Sequence, residues 1–260
     1  MKLQFLGTGS AFSMKNYHPN LLVEENGKKL LIDAGGDIRF ALRDVGMSSK
    51  DIDSVYITHL HNDHIGGMEY IAFTSFFDPN RSKPKLFCHK VLVEDLWSDS
   101  LKGGLSSIQG RILNIYDYFE VHPQEIQASF EWQKIKFQLI SSIHVFNGYS
   151  TIPTFGLMMT QKSGYKVYLT SDTQFTPEHL KEPYLKADII INDCETSPFR
   201  SQVHAHYDDL TTLDKKIKAK MYLWHYQDNV VENIEEWQKK AKKDGFKSFL
   251  QKGEIIQIPN

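Results

Sequence analysis

The run Thr58-His59-Leu60-His61-Asn62-Asp63-His64, closed at once by Ile65-Gly66-Gly67, constrains this chain more than any other stretch. Histidine and aspartate are rarely buried without partners, so three imidazoles and a carboxylate set this closely do not serve packing. They suit ions that accept nitrogen and oxygen ligands, zinc foremost. Residues 53–58 are rich in β-branched and aromatic side chains and read as a buried strand, while the glycine pair stands where a helical pattern begins. The cluster therefore falls on a strand-to-helix loop at the carboxyl end of a strand, where α/β enzymes keep their sites. On a still-extended chain His59 and His61 point to the same side and share one ion. Asp63 and His64 come after the turn and face a second.

Two ions need more than four ligands, and other strand ends offer them. His144 follows the extended, largely apolar residues 137–143, Asp172 ends residues 166–171, and His225 ends residues 221–224. Each is a polar residue placed where a buried strand gives out. Asp172 is the natural bridge, because a carboxylate has two oxygens and gives one to each ion.

The rest of the chain reads as one soluble enzyme domain over residues 1–260. That length buries a large core without staples. Its two cysteines, Cys88 and Cys194, lack metal-type spacing and point to a reducing, cytoplasmic setting. The first seven residues hold too short an apolar stretch for a signal peptide and make a good first strand, and no run is long enough to cross a membrane. Thirty basic against 32 acidic residues give a formal charge of −2, with no basic face of the kind that grips a long polyanion. The lysine runs at 215–220 and 239–243 read as solvated sides of two late helices.

Strands are expected at 2–7, 20–25, 29–33, 53–58 and 84–88, with helices near 37–46 and 65–76. A second half follows with strands near 130–141, 155–161, 165–171, 187–192, 221–225 and 254–258, and helices near 208–217 and 231–243. Strands that first meander and then alternate with helices imply an α/β fold layered helix, sheet, sheet, helix. Gly7-Thr8-Gly9 reads as a tight turn passing near the ions, since it lacks the remaining residues of a phosphate-binding loop.

These motifs together resemble the metallo-β-lactamase superfamily: Phe5-Leu-Gly-Thr-Gly-Ser10, Leu31-Ile-Asp-Ala-Gly35, the Thr58–His64 run, then His144, Asp172 and His225, in the family's order and across nearly the whole chain. The resemblance implies a four-layer αββα sandwich holding two Zn²⁺ ions on His59, His61, Asp63, His64, His144, Asp172 and His225, ligands that also suit Mn²⁺. It also implies that Asp33 orients a ligand or the loop. The opening motif and Glu195-Thr196 followed by His206 look most like the phosphodiesterase branch that includes ribonuclease Z. The compact whole is similar to the phage anti-Pycsar proteins, which destroy cyclic nucleotide signals of bacterial immunity.

In that branch His206 matches the catalytic histidine and Glu195 the acid that orients it, although Glu195-Thr-Ser stands where ribonuclease Z has Glu-Ala-Thr. The expected catalytic set is His206, Glu195 and Asp63, with His204 a local competitor for the general acid. Only 28 positions separate His144 from Asp172, which leaves no room for the tRNA-gripping arm that bacterial ribonuclease Z inserts there. The resemblance then implies 3′,5′-cyclic mononucleotides as substrate, cCMP and cUMP with cAMP and cGMP. It further implies a homodimer at work in the cytoplasm, the host's if the gene is viral, and no nucleic acid as partner. Base contacts are expected from Phe146 and Tyr149 just past His144 and from Tyr116 and Tyr118 in the middle insert, because aromatic rings stack on any base. The phenylalanines of 73–77 suit the core better, and Leu101–Gly110 suits a lid or an arm to a second subunit. A tRNA 3′-processing nuclease, a protein that sequesters nucleotides without turnover, and a lactam or thioester hydrolase are the competing readings.

Overall fold

The computed structural model describes residues 1–125 and 129–259. In the first half run β1 (Lys2–Gly7), β2 (Asn20–Glu25), β3 (Lys28–Ile32), β4 (Ser54–Ile57) and β5 (Lys85–His89), a small ribbon β6 (Ser107–Ile108) and β7 (Arg111–Ile112), and β8 (Glu120–Gln124). The second half supplies β9 (Ser129–Trp132), β10 (Ile135–Ser142), β11 (Thr154–Thr160), β12 (Lys166–Leu169), β13 (Ile189–Asp193), β14 (Met221–Trp224), β15 (Ser248–Phe249) and β16 (Ile255–Gln257). They form two seven-stranded sheets in the orders β16-β1-β2-β3-β4-β5-β8 and β15-β14-β13-β12-β11-β10-β9.

Residue pattern decides which part of each sheet is parallel. Ile189–Asp193 is buried at every position, and it pairs in parallel with strands on both sides. Parallel strands are covered on both faces and need such continuous apolar runs. Ile135–Ser142 instead alternates, with Lys136 and Gln138 exposed between buried Ile135, Phe137 and Leu139. It pairs antiparallel with both neighbours and shows one face to water.

The sheets pack through an aromatic column. Phe130 of β9 stacks on Phe137 of its own sheet and on Phe87 and Tyr56 of the other, with centroids 4.9, 4.4 and 6.1 Å apart. Trp132 donates to Ser54 Oγ at 3.1 Å and Tyr56 to the Phe155 carbonyl at 3.2 Å, so the buried polar tips of the column are also satisfied. With helices on the outer faces this is the αββα sandwich of the metallo-β-lactamase fold. Among the described residues no helix is long and apolar enough to cross a membrane.

Two local expectations need correction. The strand expected over 130–141 is a hairpin, broken at Gln133 and Lys134, whose φ angles of 51° and 68° are left-handed. Neither residue belongs to the usual turn formers, which hid the break. The helix expected near 208–217 is two single turns, Tyr207–Leu210 and Lys215–Lys218, because the Asp214 side chain accepts the Lys216 amide and starts a new helix. Residues 101–110 are the helical turn Lys102–Leu105 followed by the first strand of the ribbon.

Candidate metal centre

Four strand ends converge to build the site, those of β4, β10, β12 and β14. After β4 the chain stays extended through His61, at φ −69° and ψ 150°, and then turns into the helix Asn62–Ile65. That places His59 and His61 before the turn and Asp63 and His64 on it. Glycine makes the turn possible: a Cβ on Gly35 would collide with the Asp63 carbonyl, and one on Gly67 with Ile38 Cγ2.

Two nests of donor atoms hold the expected ligands, sharing Asp172. His59, His61, His144 and Asp172 form one, and Asp63, His64, Asp172 and His225 the other, with all donor atoms in each group within 4.8 Å of one another. In the first, His59 Nε2 and His144 Nε2 come to 3.0 and 3.1 Å from His61 Nδ1, and Asp172 Oδ2 is 3.7 and 3.6 Å from those two Nε2 atoms. In the second, His64 Nε2 lies 3.3 Å from both Asp63 Oδ2 and Asp172 Oδ1, while His225 Nε2 lies 3.3 Å from Asp63 and 3.5 Å from Asp172 Oδ2. Asp172 thus turns Oδ2 toward His59, His144 and His225 and Oδ1 toward His64.

These groups fit cations. His64 Nε2 and Asp172 Oδ1 are buried without a hydrogen-bond partner, which is costly unless a ligand is meant to meet them. For His59, His64 and His144 the opposite ring nitrogen is engaged elsewhere, so each of these three imidazoles is turned with a lone pair inward. His64 Nδ1–H donates to Asp33 Oδ2 at 2.7 Å, His144 Nδ1–H to the Val203 carbonyl at 2.7 Å, and His59 Nδ1 sits 3.1 Å from the Thr58 hydroxyl. Asp33 also accepts the Thr58 amide and hydroxyl at 2.9 and 2.8 Å, so it orients the loop as well as a ligand. His225 is held by its backbone, whose N–H donates to the Thr8 carbonyl at 2.8 Å, which is what the Gly7-Thr8-Gly9 turn accomplishes.

Strain and charge gather at the same place. Asp33, Ser171 and His225 are non-glycine residues in the left-handed region, at φ 62°, 55° and 62°. Each costs about 1–3 kcal/mol and persists only where the surroundings fix it. Burial drives His59, His61 and His144 toward the neutral form that binds metal. For His64 and His225 burial acts the same way but is outweighed, chiefly by Asp172, and both are pushed well above the usual histidine range. Burial would raise Asp63, yet His64 and His225 hold it well below the ordinary carboxylate value. Asp63 and Asp172 are thus held ionised by the positive charge of His64 and His225, a role that bound cations suit as well.

The general acid is where the sequence reading needs revision. His206 does not join the cluster: its Nε2 reaches the Ser197 carbonyl at 3.1 Å, and its Nδ1 accepts the Asp208 amide as the N-cap of a helix. Glu195 is buried beneath a loop and accepts the Ser201 amide at 3.2 and 3.0 Å, away from the His206 ring nitrogens' partners. The local competitor, His204, lies beside the nests instead, grouped with Asp172, Asp193 and His225 whose donor atoms are within 4.8 Å of one another. Its ring lies 4.9 Å from that of His144 and 4.7 Å from that of His225. Its Nδ1–H donates to Asp193 Oδ2 at 2.8 Å. Burial would lower the His204 pKa, but Asp193 and then Asp172 raise it above the ordinary value. Asp193 also takes the Thr173 amide at 2.9 Å and faces His225 Nδ1 at 3.3 Å. Sequence reading missed it, although its position as the last residue of a wholly buried strand was the same signal that singled out Asp172.

The aromatic residues divide sharply. Tyr149 (96% exposed) and Phe146 (60%) stand on a short hairpin that leaves His144, and Tyr116 is exposed as well. Tyr118 is buried at 1% with its hydroxyl donating to the Leu105 carbonyl at 2.6 Å, packed on Phe73 and Phe76, so it cannot meet a ligand. Cys88 is also sealed off, its thiol pushed up to about 12 by burial.

Comparison with known proteins agrees with this architecture. A family model described as anti-Pycsar protein Apyc1 matches residues 1–256. An anti-Pycsar protein Apyc1 from Bacillus phage vB_BveM-Goe7 is 36% identical over 244 residues, covering 90% of this chain and 92% of that one. Among solved structures, a diphosphatase from the PhnP family superposes with TM-score 0.75 at 20% identity, over 99% of this chain and 98% of its own. The short form of human tRNase Z superposes with TM-score 0.70 at 18% identity over all of both chains, a likeness of fold.

Proposed function

This chain belongs to the anti-Pycsar protein Apyc1 family, and from that premise we propose that it is a metal-dependent phosphodiesterase. It hydrolyses 3′,5′-cyclic mononucleotides, cCMP and cUMP with cAMP and cGMP, to linear monophosphates. In the cytoplasm this would counter antiphage immunity that signals with such nucleotides. One hydrolase domain, working as a homodimer, carries two Zn²⁺ ions: one on His59, His61, His144 and Asp172, the other on Asp63, His64, His225 and Asp172. The observation that carries the reading is the shared carboxylate of Asp172, facing two nests at once.

When bound, a pair of divalent cations supplies charge against the phosphodiester oxygens and lowers the pKa of an attacking water. The chain's own residues do the rest. Asp63, kept ionised, orients that water. His204 holds a proton on the ring that Asp193 steers, and gives it to the oxygen that leaves phosphorus as the ring of the cyclic phosphate opens. The bond formed is water oxygen to phosphorus, and the bond broken is one P–O ester linkage. Asp193 anchors His204 and faces the ligand His225 with the same carboxylate, so proton donor and ion share one positioning group. Phe146 and Tyr149 offer faces on which a base stacks, without selecting one base.

Against a tRNA nuclease stands the interval between His144 and Asp172, filled by β11, β12 and short connections. The test is a product assay on the zinc-loaded protein with the four cyclic mononucleotides and a precursor tRNA side by side. Linear monophosphates are expected from the former. Efficient tRNA trimming beside inert cyclic nucleotides would overturn the proposal, as would stoichiometric nucleotide uptake without product.

A further inference from the structure

Residues 197–203 form a strap that runs over the site with little of its own to hold it. Pro198, Phe199, Arg200 and Gln202 are exposed, and Phe199 is 71% so. Its far end nevertheless delivers two groups that the chemistry needs. The Val203 carbonyl accepts His144 Nδ1–H at 2.7 Å, and the next residue is His204. Whatever fixes the strap therefore fixes the tilt of a metal ligand and the place of the proton donor together.

Glu195 lies beneath it, 3% exposed. A buried carboxylate needs donors, and the donor given to both of its oxygens is the Ser201 amide, at 3.2 and 3.0 Å. Charge-assisted bonds of this kind are about twice as strong as neutral ones. The Glu195 backbone clamps the strap's return as well: its N–H donates to the Ala205 carbonyl and its carbonyl accepts the Tyr207 amide, each at 2.9 Å. His206 closes the near end through its Nε2 contact with the Ser197 carbonyl at 3.1 Å. Arg200 pairs with Asp209 at 2.7 Å, and Thr196 exchanges hydrogen bonds with Gln227 and Asn229. Among the described residues no contact places Glu195 or His206 against the metal nests.

We propose that Glu195 and His206 are positioning residues, which act through the main chain of the strap to set the Val203 carbonyl on His144 and to present His204. The inference rests on the phosphodiesterase reading for its kinetic arm, but its metal-binding arm stands apart from any substrate. A displacement of about 1 Å at a reacting group costs on the order of a hundredfold in rate. Loss of a group that orients a metal ligand costs about 10- to 100-fold in affinity.

The experiment compares Glu195→Ala, Glu195→Gln and His206→Asn with the wild type. The readouts are zinc affinity, the visible absorption of the Co²⁺-loaded protein, kcat and KM for the best cyclic nucleotide, and the melting temperature of the metal-free protein. Glu195→Ala is expected to lower kcat and zinc affinity each by about 10-fold or more, to change the cobalt spectrum, and to leave KM within about threefold. Glu195→Gln keeps an acceptor of the same size and is expected to recover most of each loss. His206→Asn keeps the helix cap and is expected to follow Glu195→Ala more weakly, so the idea remains testable if the alanine variant does not fold. Wild-type zinc affinity and cobalt spectrum in both Glu195→Ala and His206→Asn would overturn it. So would equal losses in the alanine and glutamine variants that track a fall in melting temperature. Altered metal binding in a protein that turns over no cyclic nucleotide would uphold this inference and sink the substrate reading.

Discussion

The metal nests and the loops around them are built on opposite terms. Every candidate ligand except His61 is buried to 6% exposure or less, and His59, His64 and His144 have their outward nitrogens engaged. Loops leaving β1, β10 and β13 bear Phe12, Met14, Phe146, Tyr149 and Phe199, exposed from 60% to 96%. A buried polar group must be satisfied, so the nests tolerate one arrangement. An exposed aromatic is fixed by little, so the loops are free to differ. Reaction class is thus written in the constrained region and substrate choice in the free one.

Substitutions can break that division, and the largest effect is expected at its centre. Asp172→Ala removes the shared carboxylate and should lower hydrolysis by about a thousandfold or more, with zinc stoichiometry measured by elemental analysis falling alongside. His204→Ala should cost about a hundredfold in kcat with zinc content unchanged, separating the proton donor from the ligands. Asp33→Asn leaves all seven ligands in place, yet should weaken zinc binding by about 10- to 100-fold in a competition titration, because His64 and the Thr58 backbone lose their common anchor. In the free region Tyr149→Ala should raise KM by about fivefold, one stacking interaction of ~1 kcal/mol, and leave kcat and metal content alone. If Tyr149→Ala instead stripped the metal, the separation of the two regions would fail.

How much was legible follows the same line. Of the seven candidate ligands, four stand out as the dense run His59–His64, and His144, Asp172 and His225 stand out because each follows an apolar strand at its end, a one-dimensional signal of burial meeting polarity. The layering helix, sheet, sheet, helix followed from strands that first meander and then alternate with helices. What could not be read was direction on a loop. His204 and His206 sit two residues apart, and only the backbone bridge between Glu195 and His206 decides which ring turns inward. Tyr116 and Tyr118 pose the same problem on one helical turn, where one is exposed and the other packs against Phe73 and Phe76. The hairpin at Gln133–Lys134 was hidden because two long polar side chains adopt a conformation usually left to glycine or asparagine.

The central claim is that two cations on one shared carboxylate drive hydrolysis of a cyclic nucleotide. Titrating metal-free protein with zinc while following the opening of cGMP tests it directly. Activity should be absent at the start and rise to a plateau at two equivalents per chain. Full activity without metal, a plateau at one equivalent, or no turnover at any zinc level would contradict it.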